Sequence, residues 1–318
     1  MCAFRILQTQ EEGSDDDFRL GEIVEVRCLS EIFKTLDENG TLEGLPFMQE
    51  MAEFCGKRFR VQRKVGRILV EGIGNRRIKN AVTLEGLRCD GEGHGGCKRT
   101  CVLLWKKAWL KRVQEYGSAT FTDLETSSRS FPSDCFQAKN CACQLTQLSK
   151  AASRLPISFE DLVRQYLCEK ELTSAAPYGR LCAFLLWLNF KVARSLGRKK
   201  YATLHGTLKK TPMVSMALQP GEMVEVKNRE EILATLDTKG RNRGLSLTAE
   251  MLKYCGKRYR VLKRVDKMIV EKTGRLRKIP NTVILEGVTC DGSDHSNCPR
   301  TCYCLWREAW LKRAFEVN

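Results

Sequence analysis

Histidine is scarce in this chain, with 3 residues among 318. Two of the three belong to a repeated motif described below and are read there as ligands, so a Ser/His/Asp arrangement is not expected. Long apolar runs are missing as well. The longest is LCAFLLWL, Leu181 to Leu188, extended by Asn189 and Phe190 before Lys191. It falls short of the roughly 20 residues that span a bilayer. The opening MCAFRILQTQEEGSDDD has neither the apolar region nor the cleavage pattern of a signal peptide. The Gly-rich GEGHGG has no Walker lysine and serine and is not a strand-to-helix turn, so it does not predict a phosphate loop. A cytoplasmic location is the expectation. In a reducing compartment the 16 cysteines are thiols or metal ligands rather than a disulfide framework.

Basic residues are in excess, at 54 Lys and Arg against 38 Asp and Glu, for a net charge of +16. Residues 1–20 form an acidic tail, and the excess is spread over everything that follows. Such a balance points to a polyanionic partner, such as nucleic acid, an acidic membrane surface or an acidic protein, with a merely solvated surface as the equal alternative.

The dominant feature is duplication. GEIVEVRCLSEIFKTLDENG, from Gly21, returns as GEMVEVKNREEILATLDTKG from Gly221, and 21–70 matches 221–270 at 23 of 50 positions without a gap. One residue is then added in the second copy, and both copies close alike, in LLWKKAWLKR and CLWREAWLKR. This divides the chain into the tail 1–20, a first repeat 21–113, an insert with a basic linker 114–218, and a second repeat 219–318. Two copies are too few for a solenoid.

Within a repeat, IVEV reads as a strand, SEIFKTL as a short helix, Phe47 to Phe54 as one or two helical turns, and the Val/Ile/Phe stretches that follow as strands. WKKAWLKR reads as a C-terminal helix. Its Trp105 and Trp109 would lie one turn apart behind Cys101, as Trp306 and Trp310 do behind Cys302. The expected fold is mainly β with accessory helices: two SH3-like small barrels, each with a Cys/His metal loop. The insert predicts helices from Ser158, which opens a capping-box-like SFED, and from Tyr178 to Leu196, the latter apolar nearly all round and so buried. An interfacial membrane helix is its alternative.

The metal reading rests on Cys89, His94, Cys97 and Cys101, repeated as Cys290, His295, Cys298 and Cys302 with the spacing C-x4-H-x2-C-x3-C. Three thiols and an imidazole are a ligand set for tetrahedral zinc, and glycines let a short loop wrap an ion. Cys55 and Cys255 also repeat, either as extra ligands or as small buried residues before a turn glycine. Cys135, Cys141 and Cys143, with Cys168 further on, form a third cluster, a further metal or iron–sulfur site or buried thiols. Cys304 has no cysteine counterpart and reads as structural. Ligand-like clusters fit nucleophilic catalysis poorly, so an enzyme is disfavoured. The competing class is an iron–sulfur redox protein or enzyme accessory.

Lys57, Arg58, Arg60, Arg63 and Lys64 recur as Lys257, Arg258, Arg260, Lys263 and Arg264, interleaved with Phe59 and Tyr259. They are the candidate anion-binding residues. Because strand side chains alternate between faces, the aromatic belongs to the core beneath a charged face.

Two resemblances follow from these motifs. CDG followed by His is similar to the CDGSH iron–sulfur family, with two residues rather than one between Gly and His, and without that family's upstream cysteines. More broadly, GEIVEVR, TLDENGTLEGLPFM, FCGKRFRV, CDGEGHGGC and WKKAWLKR, with their second copies, resemble an uncharacterised bacterial family with two repeated CGKRFRV and CDGxxHxxC domains. That resemblance covers nearly the whole chain and implies a bacterial, cytoplasmic protein. It brings no activity or substrate.

Overall fold

The structure, a computed structural model, describes residues 17–113, 142–154, 204–292, 295 and 298–314. The expected helices of the insert, together with Cys135, Cys141 and Cys168, lie outside the described residues.

The first repeat is built from β1 (Ile23–Val26), α1 (Leu29–Phe33), β2 (Thr41–Leu42), β3 (Leu45–Pro46), β4 (Arg58–Val70), β5 (Gly74–Arg88), β6 (Val102–Lys106) and β7 (Leu110–Arg112). From the insert come α2 (Gln144–Ala151) and β8 (Ser153–Arg154). The second repeat contains β9 (Met223–Val226), α3 (Arg229–Leu233), β10 (Arg241–Asn242), β11 (Leu245–Ser246), β12 (Arg258–Arg264), β13 (Lys267–Ile269), β14 (Leu276–Lys278), β15 (Thr282–Leu285), β16 (Trp306–Arg307) and β17 (Leu311–Arg313).

The two main sheets share one strand order. It runs β6-β5-β4-β1-β7 in the first repeat and β16-β15-β12-β9-β17 in the second. Period-2 alternation explains β1, where Val24 and Val26 point into the core and Ile23 and Glu25 do not. In β4 the buried residues Val61, Val65, Ile68 and Val70 do not alternate strictly. The register with β5 slips between Val61 and Arg63 and again between Val65 and Arg67, and each slip re-aims the side chains that follow. The first slip recurs in the second repeat, between Val261 and Lys263.

Mainly β architecture is thus observed, and two expectations are corrected. The sheets are open: no pairing joins β6 to β7 or β16 to β17 to close a barrel. The segment read as a C-terminal helix is a strand, one 3₁₀ turn (Lys107–Trp109) and another strand. Its Trp spacing mimics helical periodicity, but pairing of Leu110–Arg112 with β1 keeps the backbone extended. Trp105 and Trp109 are fully buried all the same and meet Phe47 edge-on, at 6.3 and 5.3 Å between centroids. Trp306 and Trp310 are buried in the second repeat.

The first core does not stop at the repeat boundary, because Ile269 and Cys298 pack into it. The insert joins it too, through Leu145 and Leu148 of α2.

Candidate metal centres

Each metal loop is zipped at its base, where the Cys89 N–H donates to Cys101 O (2.8 Å) and the Cys290 N–H to Cys302 O (2.7 Å). The loop then coils inward. Gly91 sits at φ 82°, in the left-handed region, and a Cβ there would meet the Cys97 carbonyl oxygen at 1.7 Å. Only glycine fits, and its carbonyl accepts from the N–H groups of His94 and Gly96. Gly292, at φ 83°, takes the same conformation, and its carbonyl accepts from the His295 N–H.

This coil presents Cys89 and His94 to a residue that the spacing did not reveal. The ligand atoms of Glu50, Cys89 and His94 lie within 4.8 Å of one another, and so do those of Glu250, Cys290 and His295. Glu50 and Glu250 stand on the 3₁₀ turns Gln49–Phe54 and Ala249–Tyr254. The only sequence signal for them was identity between copies inside a stretch where Gln49, Ala52 and Glu53 all change.

The first centre bears the marks of a site for a cation. His94 Nε2 and Glu50 Oε1 are buried with no hydrogen-bond partner, and His94 Nε2 lies 3.8 Å from Glu50 Oε2. Burial raises the Glu50 carboxyl to about 7 and holds His94 below the usual imidazole value. The Cys89 thiol is pushed far up, by burial and then by the Glu50 carboxylate. A buried carboxylate, thiol and imidazole with orphaned lone pairs are costly alone and are satisfied together by a divalent ion. In the second centre His295 Nε2 lies 3.6 Å from Glu250 Oε1, and burial raises the Glu250 pKa likewise.

The remaining cysteines stand around these triads. Cys97 accepts a hydrogen bond at Sγ from the Ile269 N–H (3.3 Å), and Cys298 from the Leu69 N–H (3.4 Å). Cys101 and Cys302 lie beside Arg99 and Arg300, and burial pushes the Cys101 thiol up to about 12. Cys143, just before α2, shares the wall of a cavity of about 20 Å³ with Cys89, Cys101 and Leu103. The second repeat carries Cys304 where the first has Leu103. Burial, then the Glu250 carboxylate, push its thiol up to about 12. A buried thiol thus stands near each triad at this level, Cys143 from the insert in the first repeat and Cys304 of the repeat itself in the second. Cys55 and Cys255 end the 3₁₀ turns that carry Glu50 and Glu250, and belong to neither triad.

The candidate anion-binding cations are dispersed in function. Arg58 pairs with Glu25 (3.4 Å), Arg60 with Glu85 (3.9 Å), Lys64 with Asp17 (2.9 Å), Arg258 with Glu225 (3.5 Å) and Arg264 with Glu308 (3.0 Å). Arg260 donates to Gly221 O (2.8 Å). Lys57, Arg63, Lys257 and Lys263 have no carboxylate partner among the described residues. Phe59 and Tyr259 stack edge-on against Phe54 and Tyr254 rather than standing free.

Among the described residues, no helix is long and apolar enough to cross a membrane. Comparisons with family models, with curated proteins and with solved structures gave no match.

Proposed function

We propose that the chain is a metal-stapled scaffold of the cytoplasm, holding one ion per repeat and offering a basic surface to an anionic partner. The observation that carries this reading is the repeated triad, Glu50 with Cys89 and His94, and Glu250 with Cys290 and His295. Its mixed oxygen, sulfur and nitrogen donors match zinc, which accepts all three. A carboxylate at the centre fits an iron–sulfur cluster poorly, since clusters are held mainly by thiolates. The ion would hold a loop against a 3₁₀ turn some 40 residues earlier in the chain, and so tie two distant segments of a repeat together.

The staple extends between repeats. Lys98 N donates to Lys267 O (3.0 Å), and Arg300, held within its own repeat by both oxygens of Glu271 (3.1 Å), donates across to Leu69 O (3.1 Å). A loop fixed by its ion in one repeat thereby grips a strand of the other, which is what a rigid two-repeat platform requires. Net charge of +16 favours a polyanion as the partner, nucleic acid or an acidic protein.

Elemental analysis of the purified protein tests the first half, with about one zinc per triad and no iron expected. A metal-free protein with full thermal stability would sink it. Salt-dependent retention on RNA and on heparin tests the second half.

A further inference from the structure

The duplication supplies an internal comparison that points to a ligand site in the second repeat. In the first repeat Lys106 is buried, and its ammonium donates to Glu43 (2.6 Å) and to Lys79 O (2.8 Å). The second repeat keeps the cation and its carbonyl cradle. Arg307, at the place of Lys106, donates to Pro280 O (2.7 Å), which stands at the place of Lys79 O. It also donates to Asn242 O (3.2 Å), Thr282 Oγ1 (2.9 Å) and Arg243 O (2.9 Å). The counter-ion is reversed, because Arg243 stands where the first repeat has Glu43.

Arg307 is 6% exposed and has no carboxylate partner among the described residues. Burial, with Arg243 and Arg277 beside it, depresses its pKa to about 10. A guanidinium in that setting lacks an anion that the other repeat provides from its own chain.

The surrounding space differs in the same sense. In the first repeat the groove beside β3 is filled by α2. The Gln144 amide reaches Pro46 O (3.0 Å) and both the N–H and the carbonyl of Leu104 (3.0 and 2.9 Å). Lys150 and Ala151 lie against Gly44. The equivalents of Gly44, Pro46 and Leu104 are Gly244, Ser246 and Leu305, and all three line an open cavity of about 410 Å³. That volume is within the usual range for a small-molecule site. Its charged walls are Arg99, Arg243, Arg277, Lys278 and Arg307 against the single carboxylate of Glu71, which faces Arg99 at 3.9 Å. Its apolar walls include Met213, Val214, Leu245 and Ile279, and Met213 is 64% exposed.

We propose that this cavity binds a small amphipathic anion. Its phosphate or carboxylate head sits among Arg243, Arg277 and Arg307, and its apolar body lies against Met213, Val214 and Ile279. The head takes the electrostatic place that Glu43 fills in the first repeat, and the body takes the place of α2. Guanidiniums suit such a head because their paired N–H groups match its oxygens.

Isothermal titration of the full chain with hexyl phosphate, inorganic phosphate and hexanol tests this. Expected is saturable one-to-one binding of hexyl phosphate, weaker binding of inorganic phosphate and none of hexanol. Arg243→Glu should weaken hexyl phosphate at least tenfold while leaving thermal stability equal or higher, since the new carboxylate pairs with Arg307 as Glu43 pairs with Lys106. Met213→Ser should weaken hexyl phosphate and leave inorganic phosphate unchanged. Should Arg243→Glu not fold, Arg277→Gln, on the exposed β14, carries the same expectation of weakened binding. Absence of saturable hexyl phosphate binding, or an affinity in the folded charge variant within twofold of the unsubstituted protein, would overturn the proposal.

Discussion

The Cys97 sulfur accepts a hydrogen bond from the backbone N–H of Ile269 at 3.3 Å, and so the metal loop of one repeat is fastened to a strand of the other. The relation is reciprocal, since Cys298 receives the Leu69 N–H at 3.4 Å. Between these two clasps lie Arg99, Arg300, Glu71 and Glu271. The repeats are joined through the very loops that carry the candidate metal ligands, so an ion bound there would link repeat stability to repeat–repeat docking.

The strongest single group in that junction is Arg300. Its guanidinium and the Glu271 carboxylate are both almost wholly buried, at 8% and 2% side-chain exposure. Removing one member of a buried pair strands the other, at a cost of about 3–5 kcal/mol. Arg300→Met is therefore expected to lower the unfolding free energy by that amount, whereas Arg300→Met with Glu271→Gln should recover a good part of it. A full double-mutant cycle in urea checks this, and additive losses would contradict it.

Much of this arrangement was legible in the residues and some was not. Cys89, His94 and their second copies could be read because rare residue types recur at fixed spacing. Glu50 could not, because a carboxylate in a polar, partly helical stretch looks like a solvated face until folding brings the turn over the loop. The Trp105–Trp109 spacing was misleading for a related reason: four-residue separation fits a helix, and equally a strand followed by a 3₁₀ turn. Non-local pairing with β1 decided between them, and pairing partners are not written in a local pattern. The cross-repeat clasps were invisible because each uses a backbone N–H, which every residue but proline has.

Glu50 separates the triad from a site made only of cysteines and histidine. Glu50→Gln keeps the shape and removes the anionic oxygen, so it is expected to reduce bound metal by one ion per chain and to lower the melting temperature. Strong chelator should lower the melting temperature of the unsubstituted protein further, since both centres are then emptied. Metal analysis beside a thermal melt reads both effects. Unchanged metal in Glu50→Gln would assign the site to thiols alone.

A second pair of equivalents tests the cores independently of any metal. The Trp109 indole N–H donates to Thr35 Oγ1 (3.1 Å), and the Trp310 indole N–H to Thr235 Oγ1 (2.9 Å). Replacing threonine by valine keeps the shape and leaves the buried indole donor unpaired, which costs about 1–3 kcal/mol. Thr35→Val and Thr235→Val should each destabilise by that amount with metal content unchanged. Chemical denaturation of the two variants provides the measurement.

Lys106 offers the sharpest test of why the second repeat differs from the first. Its side chain is 1% exposed, and its one carboxylate partner among the described residues, Glu43, is 43% exposed. Burial depresses the Lys106 pKa, and Glu43 works against that shift. Glu43→Arg would recreate in the first repeat the charge arrangement of Arg243 and Arg307, but there α2 fills the groove that would take the apolar body of a ligand. The substitution should cost about 2 kcal/mol, below the figure for a fully buried pair because Glu43 is partly screened by solvent. It should also confer no binding of hexyl phosphate at the first repeat. Urea denaturation together with titration of Glu43→Arg distinguishes the outcomes. A loss near zero would mean that Lys106 is adequately held by the Lys79 carbonyl alone, and that the reversal at Arg243 carries no energetic demand for an anion.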